Sequence, residues 1–405
     1  MEGGSCSKDG GFPGRARECQ RAGSPIGGLA RSLKAIIGAV IMVDVLIISA
    51  DRERVGSAVR EVFQHFDPDL ENKTVLIKPN MVKAVPGDAG INTHPEIVRQ
   101  VVLECKERGA ARIVVGDNPG GMTRGSTRIG LVSGIADAAQ GHFESIGDEV
   151  IEYPVQSRFT PHILVSKKIV DADFVINIPI FKTHIFTLIS GAFKNVYGYI
   201  AGGYKSRLHF LAPSRREFAE ILVTVNQIKP PDLHIMDCLT VMDGEGPSKG
   251  RVRPYGKIVA STDGIAVDAT MCRMVGIDPA QLPFLVLGAK TGLGQFREEM
   301  ITVRGERTYI PDFLLPSTFA TEEQCLDEVC IASEESIKAR ANVRPQVNKE
   351  LCVECGFCAE SCPAQCIRLD PKPVIARDKC IACFCCVELC PEEAFEVEHI
   401  TLYAS

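Results

Sequence analysis

The 405-residue chain lacks several features that would assign it quickly. Basic residues are not in excess: 45 Lys and Arg stand against 51 Asp and Glu, a net charge of −6, so no global positive field draws the chain to nucleic acid. No segment offers the ~18 consecutive apolar residues that a membrane span requires. Neither a Walker-type lysine loop nor a strand-linked G-x-G-x-x-G is present, which removes the ordinary signals of a nucleotide fold. No H-E-x-x-H or comparable short spacing marks a zinc or similar metal site. An apolar run over 35–43 follows Arg31 and Lys34. No A-x-A-like site follows it, Asp44 interrupts it and no twin-arginine pair precedes it, so a cytoplasmic location is expected.

What the chain has instead is cysteine, 17 in all, ten of them after position 347. Eight of those form two copies of one pattern: Cys352, Cys355, Cys358 and Cys362 before Pro363, and Cys380, Cys383, Cys386 and Cys390 before Pro391. Three cysteines in a tight loop can cap three corners of an iron–sulfur cube, while the fourth, set before a proline, reaches the other cube. The expected ligand sets therefore interleave: Cys352, Cys355, Cys358 and Cys390 for one [4Fe-4S] cluster, and Cys380, Cys383, Cys386 and Cys362 for the other. Structural zinc uses paired CxxC or Cys/His half-sites rather than such triples. Disulfides suit the adjacent thiols of Cys385 and Cys386 poorly. Cys366 and Cys385 are spare; Cys385 reads as a small buried thiol or as a residue that tunes a cluster. The segment resembles a bacterial two-cluster ferredoxin.

With 45% hydrophobic residues, the chain also has room for a full-sized second domain. Residues 1–41 read as a disordered or mis-annotated leader, Met42 being a better start than Met1. Buried strands are expected over 43–49, 74–78, 112–116, 174–178, 233–237 and 257–261. Helices are expected over about 52–66, 94–108, 215–228 and 264–275, with Pro95 in a first turn. This alternation predicts an α/β domain over 42–310, a mostly parallel sheet flanked by helices. A polar linker over 311–346 and a small α+β ferredoxin-like domain over 347–405 follow. Seven cysteines lie outside that last domain and read as scattered thiols, including the Cys325-x4-Cys330 pair.

Residues that follow the predicted strands carry the candidate chemistry. Lys78-Pro79-Asn80 follows the second, Asp117-Asn118-Pro119-Gly120-Gly121 the third, and Lys182-Thr183-His184 comes just after the fourth; Asp237 ends the fifth and Asp263 follows the sixth. In an open parallel sheet these carboxyl ends share one edge, where ligands bind, so the residues are expected to converge. Plainer readings stand beside this: Lys78-Pro79 can simply end a strand, Asp117-Asn118-Pro119-Gly120 is a good turn sequence, and His94 before Pro95 fits a helix entry. Two glycine-rich stretches carry Lys194 and Asn195, and Lys205, Arg207 and His209, which could bring backbone N–H groups and cations to an anion.

Taken in order, Lys78-Pro79-Asn80, Thr93-His94-Pro95, Gly116 to Gly120, Lys182-Thr183-His184, Gly191 to Asn195, Met242 to Pro247, and Asp263 with Asp268 resemble the uncharacterised domain family DUF362, in its version fused to a ferredoxin-like domain. The resemblance spans roughly 43–294. It implies a cytoplasmic iron–sulfur protein of prokaryotic type and supplies no reaction. The leading expectation is an iron–sulfur oxidoreductase whose large domain binds an anionic or carbonyl-bearing substrate or an organic cofactor. Lys78, Lys182 and Lys194 would hold negative charge, His184 or His209 would handle a proton, Asp117, Asp237 or Asp263 would orient the base or a metal, and Asn80, His94 and Asn195 would contact a cofactor. Two other readings are an electron carrier that docks a redox partner protein, and a metal-handling protein using His94, His184 and His209 with Asp117 or Asp263.

Overall fold

The computed structural model describes residues 42–120, 125–319 and 343–399. In chain order its strands are β1 (Val43–Ser49), β2 (Thr74–Pro79), β3 (Arg112–Val115), β4 (Val150–Pro154), β5 (His162–Ser166), β6 (Phe174–Ile178), β7 (Ile180–His184), β8 (Leu188–Ser190), β9 (Leu233–Asp243), β10 (Arg251–Ser261) and β11 (Ile301–Arg304). The cysteine-rich segment adds β12 (Val343–Val347), β13 (Ile367–Asp370), β14 (Lys372–Ile375) and β15 (Phe395–His399).

Alternating side chains build the main sheet, ordered β11-β1-β10-β9-β6-β2-β3 with β7 and β8 attached beside β9. Val45 and Ile47 of β1, Leu76 of β2 and Val114 of β3 enter one apolar layer; Leu46 and Ile48, Val75 and Ile77, and Ile113 and Val115 enter the other. Each such fully buried aliphatic side chain contributes about 1.5–3 kcal/mol. The helix Val55–Phe66 covers one face with Val55, Ala58, Val59, Val62 and Phe63, a spacing of three and four residues. The helix Arg215–Ile228 covers the other face and begins in a Ser214/Glu217 capping box.

Pairing is parallel for β2 with β3 and β6, for β9 with β6 and β7, and for β1 with β11. β10 runs antiparallel to both β9 and β1. The sheet is thus mostly parallel and mixed, flanked by helices as expected. The reversal arises because β9 extends to Asp243 and turns directly into β10, so a hairpin replaces a crossover. Asp237 consequently lies within β9 rather than at its end. Asp263, after β10, falls at the opposite edge from the ends of β2, β3, β6 and β9.

The cysteine-rich segment forms two antiparallel strand pairs, β12 with β15 and β13 with β14, and two short helices, Phe357–Glu360 and Cys385–Leu389. The leader, Cys325, Cys330 and most of the expected linker lie outside the described residues. Among the described residues no helix is long and apolar enough to cross a membrane.

Candidate functional site

The parallel strands β2 and β3 end with Lys78 and Asp117 side by side. Lys78 Nζ stands 2.8 Å from Asp117 Oδ1, and both side chains are buried. Lys78 Nζ also donates to the Pro79 carbonyl at 3.1 Å, and Asp117 Oδ2 accepts from the Met81 N–H at 2.9 Å. Gly198 leaves room for it: a Cβ there would lie 2.1 Å from Asp117 Oδ1 and 2.6 Å from Lys78 Nζ. Asn118 Nδ2 donates to the Gly198 carbonyl at 3.0 Å, and Lys205 Nζ donates to the Asn118 carbonyl.

Beside this pair, β7 carries Lys182 and His184 inward. Lys182 Nζ donates to Asn80 Oδ1 at 2.9 Å and to the Ile91 carbonyl at 2.8 Å. Asn80 Nδ2 in turn donates to Asn195 Oδ1 at 2.8 Å, Asn195 Nδ2 to Asn177 Oδ1 at 2.8 Å, and Asn177 Nδ2 to the Ala192 carbonyl at 2.9 Å. His184 Nδ1 accepts from the Phe186 N–H at 3.0 Å, which leaves Nε2 to face Glu388 Oε1 at 3.2 Å. His209 stacks on Phe218 with ring centroids 4.1 Å apart.

These side chains surround a cavity of about 110 Å³ lined by Asn80, Asp117, Lys182, His184, Lys194, Asn195, Lys205 and His209 from the large domain, with Cys385, Glu388 and Leu389 from the cysteine-rich segment. Lys78 stands behind Asp117. The helix Cys385–Leu389 thus forms one wall, and a Cβ on Gly120 would meet Leu389 Cδ2 at 2.7 Å. Polar contacts hold that segment in place: Lys83 Nζ lies 2.6 Å from Glu393 Oε1, and Lys249 Nζ donates to the carbonyls of Glu393 and of Phe395, the latter at 2.8 Å.

Three lysines, Lys182, Lys194 and Lys205, line the cavity with two acids, Asp117 and Glu388, while Lys78 pairs with Asp117 from behind. Burial pushes Lys182 down to about 7, with the Lys194 charge adding to the effect and Glu388 and Asp117 opposing it. Lys205 is brought to about 7 by burial, against the pull of Asp117. Burial also lowers Lys78 and Lys194, holds His184 well below the usual imidazole range, and raises Glu388 against three lysines.

Of the residues singled out in the sequence, Asn80, Asp117, Lys182, His184, Lys194, Asn195 and His209 line this cavity and Lys78 supports it. His94 and Asp263 do not join them. His94 caps the helix Pro95–Glu107, its Nδ1 accepting from the Glu96 N–H at 3.2 Å, and faces a separate cavity of about 430 Å³ shared with Asp237. Asp263 caps the helix Gly264–Met274 and accepts from the N–H groups of Ala266 and Gln295 at 2.9 and 2.8 Å. Both do the work of a helix cap, and the set of three histidines with Asp117 or Asp263 is not assembled. Among the described residues no three His, Cys, Asp or Glu side chains are grouped to hold a metal ion. Sequence reasoning missed Glu388, whose only signal is an acid placed between two expected ligands.

Of the expected ligand thiols, Cys358 has Cys355, Cys390 and Cys352 as electrostatic neighbours, and Cys386 has Cys383, Cys380, Cys362 and Cys358. A third, small cavity is lined by Cys362, Cys380, Cys383 and Cys386, with Cys366 and Cys385. Cysteine thiols are the donors a four-iron cluster takes, so the residues present fit such a group.

Residues 75–273 match the family described as a domain of unknown function, DUF362, and residues 345–368 match the 4Fe-4S binding domain. The thylakoid-associated protein sll1697 of Synechocystis sp. is 29% identical over 235 residues, 56% of this chain and 70% of that protein. Among solved structures, the lactate racemase apoprotein of Thermoanaerobacterium thermosaccharolyticum is similar at 13% identity and a TM-score of 0.36, over 55% of this chain and 54% of that one. A structural-genomics protein from Thermotoga maritima is similar at 12% identity and a TM-score of 0.35, over 60% of each chain. The chain spans less than two thirds of either neighbour, and likenesses so distant do not bear on the site. The chain carries a DUF362 domain followed by a C-terminal 4Fe-4S binding domain.

Proposed function

We propose that this is an iron–sulfur redox protein in which the 42–310 domain binds a small anionic ligand, substrate or organic cofactor, in the lysine-lined cavity. The 347–405 domain, joined through 311–346, holds two [4Fe-4S] clusters on the two thiol sets and exchanges electrons with that ligand. The observation that carries this reading is the excess of lysines in the cavity, Lys182, Lys194 and Lys205 against Glu388 and an Asp117 already paired with Lys78, beside a wall supplied by the cysteine-rich segment.

When bound, the clusters supply or accept one electron at a time. The chain's own residues do the rest. Lys194 and Lys205 offer positive charge to the ligand, strengthened by the low dielectric of a site closed by the helix Cys385–Leu389. Asp117 holds Lys78 and keeps it from swinging into the cavity. His184, neutral and with Nε2 toward Glu388, is placed to exchange a proton at that atom. A volume of about 110 Å³ has room for roughly seven or more water-sized atoms, which suits a small acid better than a nucleotide.

The test is calorimetric titration of the anaerobically purified full chain with small carboxylates and phosphates, each against its neutral amide or ester. A charge-assisted hydrogen bond contributes about 1.5–3 kcal/mol, so Lys194→Met is expected to weaken the best anion by about 10- to 150-fold. Binding that ignores both ligand charge and Lys194 would overturn the reading.

A second reading, a carrier that docks a redox partner without chemistry of its own, draws on Leu351, Val353 and Phe357. These flank the first thiol set and are 50, 60 and 40% exposed. It requires that replacing Lys182 and His184 leave electron delivery to the partner unchanged.

A further inference from the structure

Cys385 belongs to neither ligand set, yet it stands where the two halves of the site meet. Among the described residues it is the one that lines both the lysine cavity and the small cavity lined by Cys362, Cys380, Cys383 and Cys386. Its side chain is buried, and it shares the small cavity with Cys383, one of the expected ligand thiols. On the other side it shares the lysine cavity with Lys194 and Tyr197 of the large domain. The short helix Cys385–Leu389 that begins with it also carries Glu388 to His184.

A thiol fixed there has two physical effects. A sulfur ligand that accepts a hydrogen bond carries less negative charge, so the reduced, more negative form of the cluster it holds is stabilised and the potential rises. The same thiol is the protein matter between that cluster site and whatever occupies the cavity, so a ligand that draws on Lys194 alters the field at Cys385 and, through it, at Cys383.

Building on the two-cluster, anion-binding reading above, we propose that Cys385 is the positioning residue that couples the two sites: its S–H donates to the Cys383 sulfur, raises the potential of the cluster held by Cys362, Cys380, Cys383 and Cys386, and transmits the charge state of the lysine cavity to it. No bond is made or broken, and the thiol remains reduced throughout.

The experiment is a redox titration of the full-length, anaerobically purified protein followed by electron paramagnetic resonance, with and without the tightest anion found by calorimetry. Wild type, Cys385→Ala and Cys385→Ser are compared, each checked for iron content. Two separable four-iron signals are expected in all three. In Cys385→Ala one of them moves to a more negative potential and loses its response to the anion. In Cys385→Ser, whose hydroxyl can still donate, both properties largely return. Should alanine fail to retain the cluster, the serine variant is compared with wild type alone, and loss of the anion response there overturns the proposal, as does an alanine variant with full iron and unshifted potentials. A single four-iron signal in wild type would instead sink the two-cluster reading, and two signals with no anion bound at all would sink the ligand site while the hydrogen bond to Cys383 is still tested by the alanine shift.

Discussion

Removing either partner of the Lys78–Asp117 pair should destabilise the protein, and unequally. Both groups are buried and 2.8 Å apart, and breaking such a pair from one side costs about 3–5 kcal/mol because the other charge is left without its counter-ion. The surroundings decide where in that range each variant falls. In Lys78→Met, Asp117 keeps the Met81 N–H and the field of Lys205, so the loss should sit at the lower end, about 3 kcal/mol. In Asp117→Asn, Lys78 keeps only the Pro79 carbonyl and stays beside Lys194 and Lys205, and the loss should approach the upper end, about 5 kcal/mol. The double variant, with a neutral pair of similar volume, should recover much of the larger loss. The assay is urea unfolding of the anaerobically purified, ligand-free chain, followed by far-ultraviolet circular dichroism and extrapolated to water. Equal losses below about 1 kcal/mol would refute the claim that this is a desolvated pair, because that is the range of exposed ion pairs. A larger loss for Lys78→Met than for Asp117→Asn would refute the charge count of the cavity.

Two further outcomes follow. Lys182 and Lys205 sit near 7 in the fold against an ordinary 10.5, so between those values the unfolded chain binds more protons. The urea midpoint of the ligand-free protein should then rise from about pH 7 toward pH 10, and a midpoint that falls over that window would contradict the burial of these two amines. Cys390→Ala should remove the cluster held with Cys352, Cys355 and Cys358 while the other is retained, halving the iron measured per chain; loss of the cluster bound by Cys380, Cys383 and Cys386 instead would mean that the ligand sets do not interleave.

Much of the cysteine-rich domain was legible in the sequence because metal ligation fixes spacing along the chain. The candidate site was legible for a related reason: Lys78 lies at the end of β2, Asp117 just after β3 and Lys182 just after β6, on β7, and parallel neighbours bring such ends together. Asp263 shows where that logic stops. A strand's apolar pattern is the same read in either direction, so nothing local to 257–261 told that β10 returns as a hairpin from β9. His94 illustrates the opposite case, in which the plainer reading beside Pro95 was the right one: its ring caps a helix. Glu388 and Cys385 were illegible as cavity residues because their place depends on how the small domain docks. That docking rests on Lys83, Lys249 and Leu389, single contacts with no pattern in sequence.

The chain of amides under Lys182 has a consequence for how the cavity behaves when its charge changes. Asn80, Asn195 and Asn177 do not titrate, and their hydrogen bonds all run one way, from the lysine nitrogen to the Ala192 carbonyl. Lys182 rests on two acceptors, Asn80 Oδ1 and the Ile91 carbonyl. A neutral amine has two hydrogens to give and an ammonium three, so both contacts survive the loss of the proton. The mounting is therefore indifferent to ionisation: the floor of the site keeps its shape on either side of neutrality while its charge changes above it.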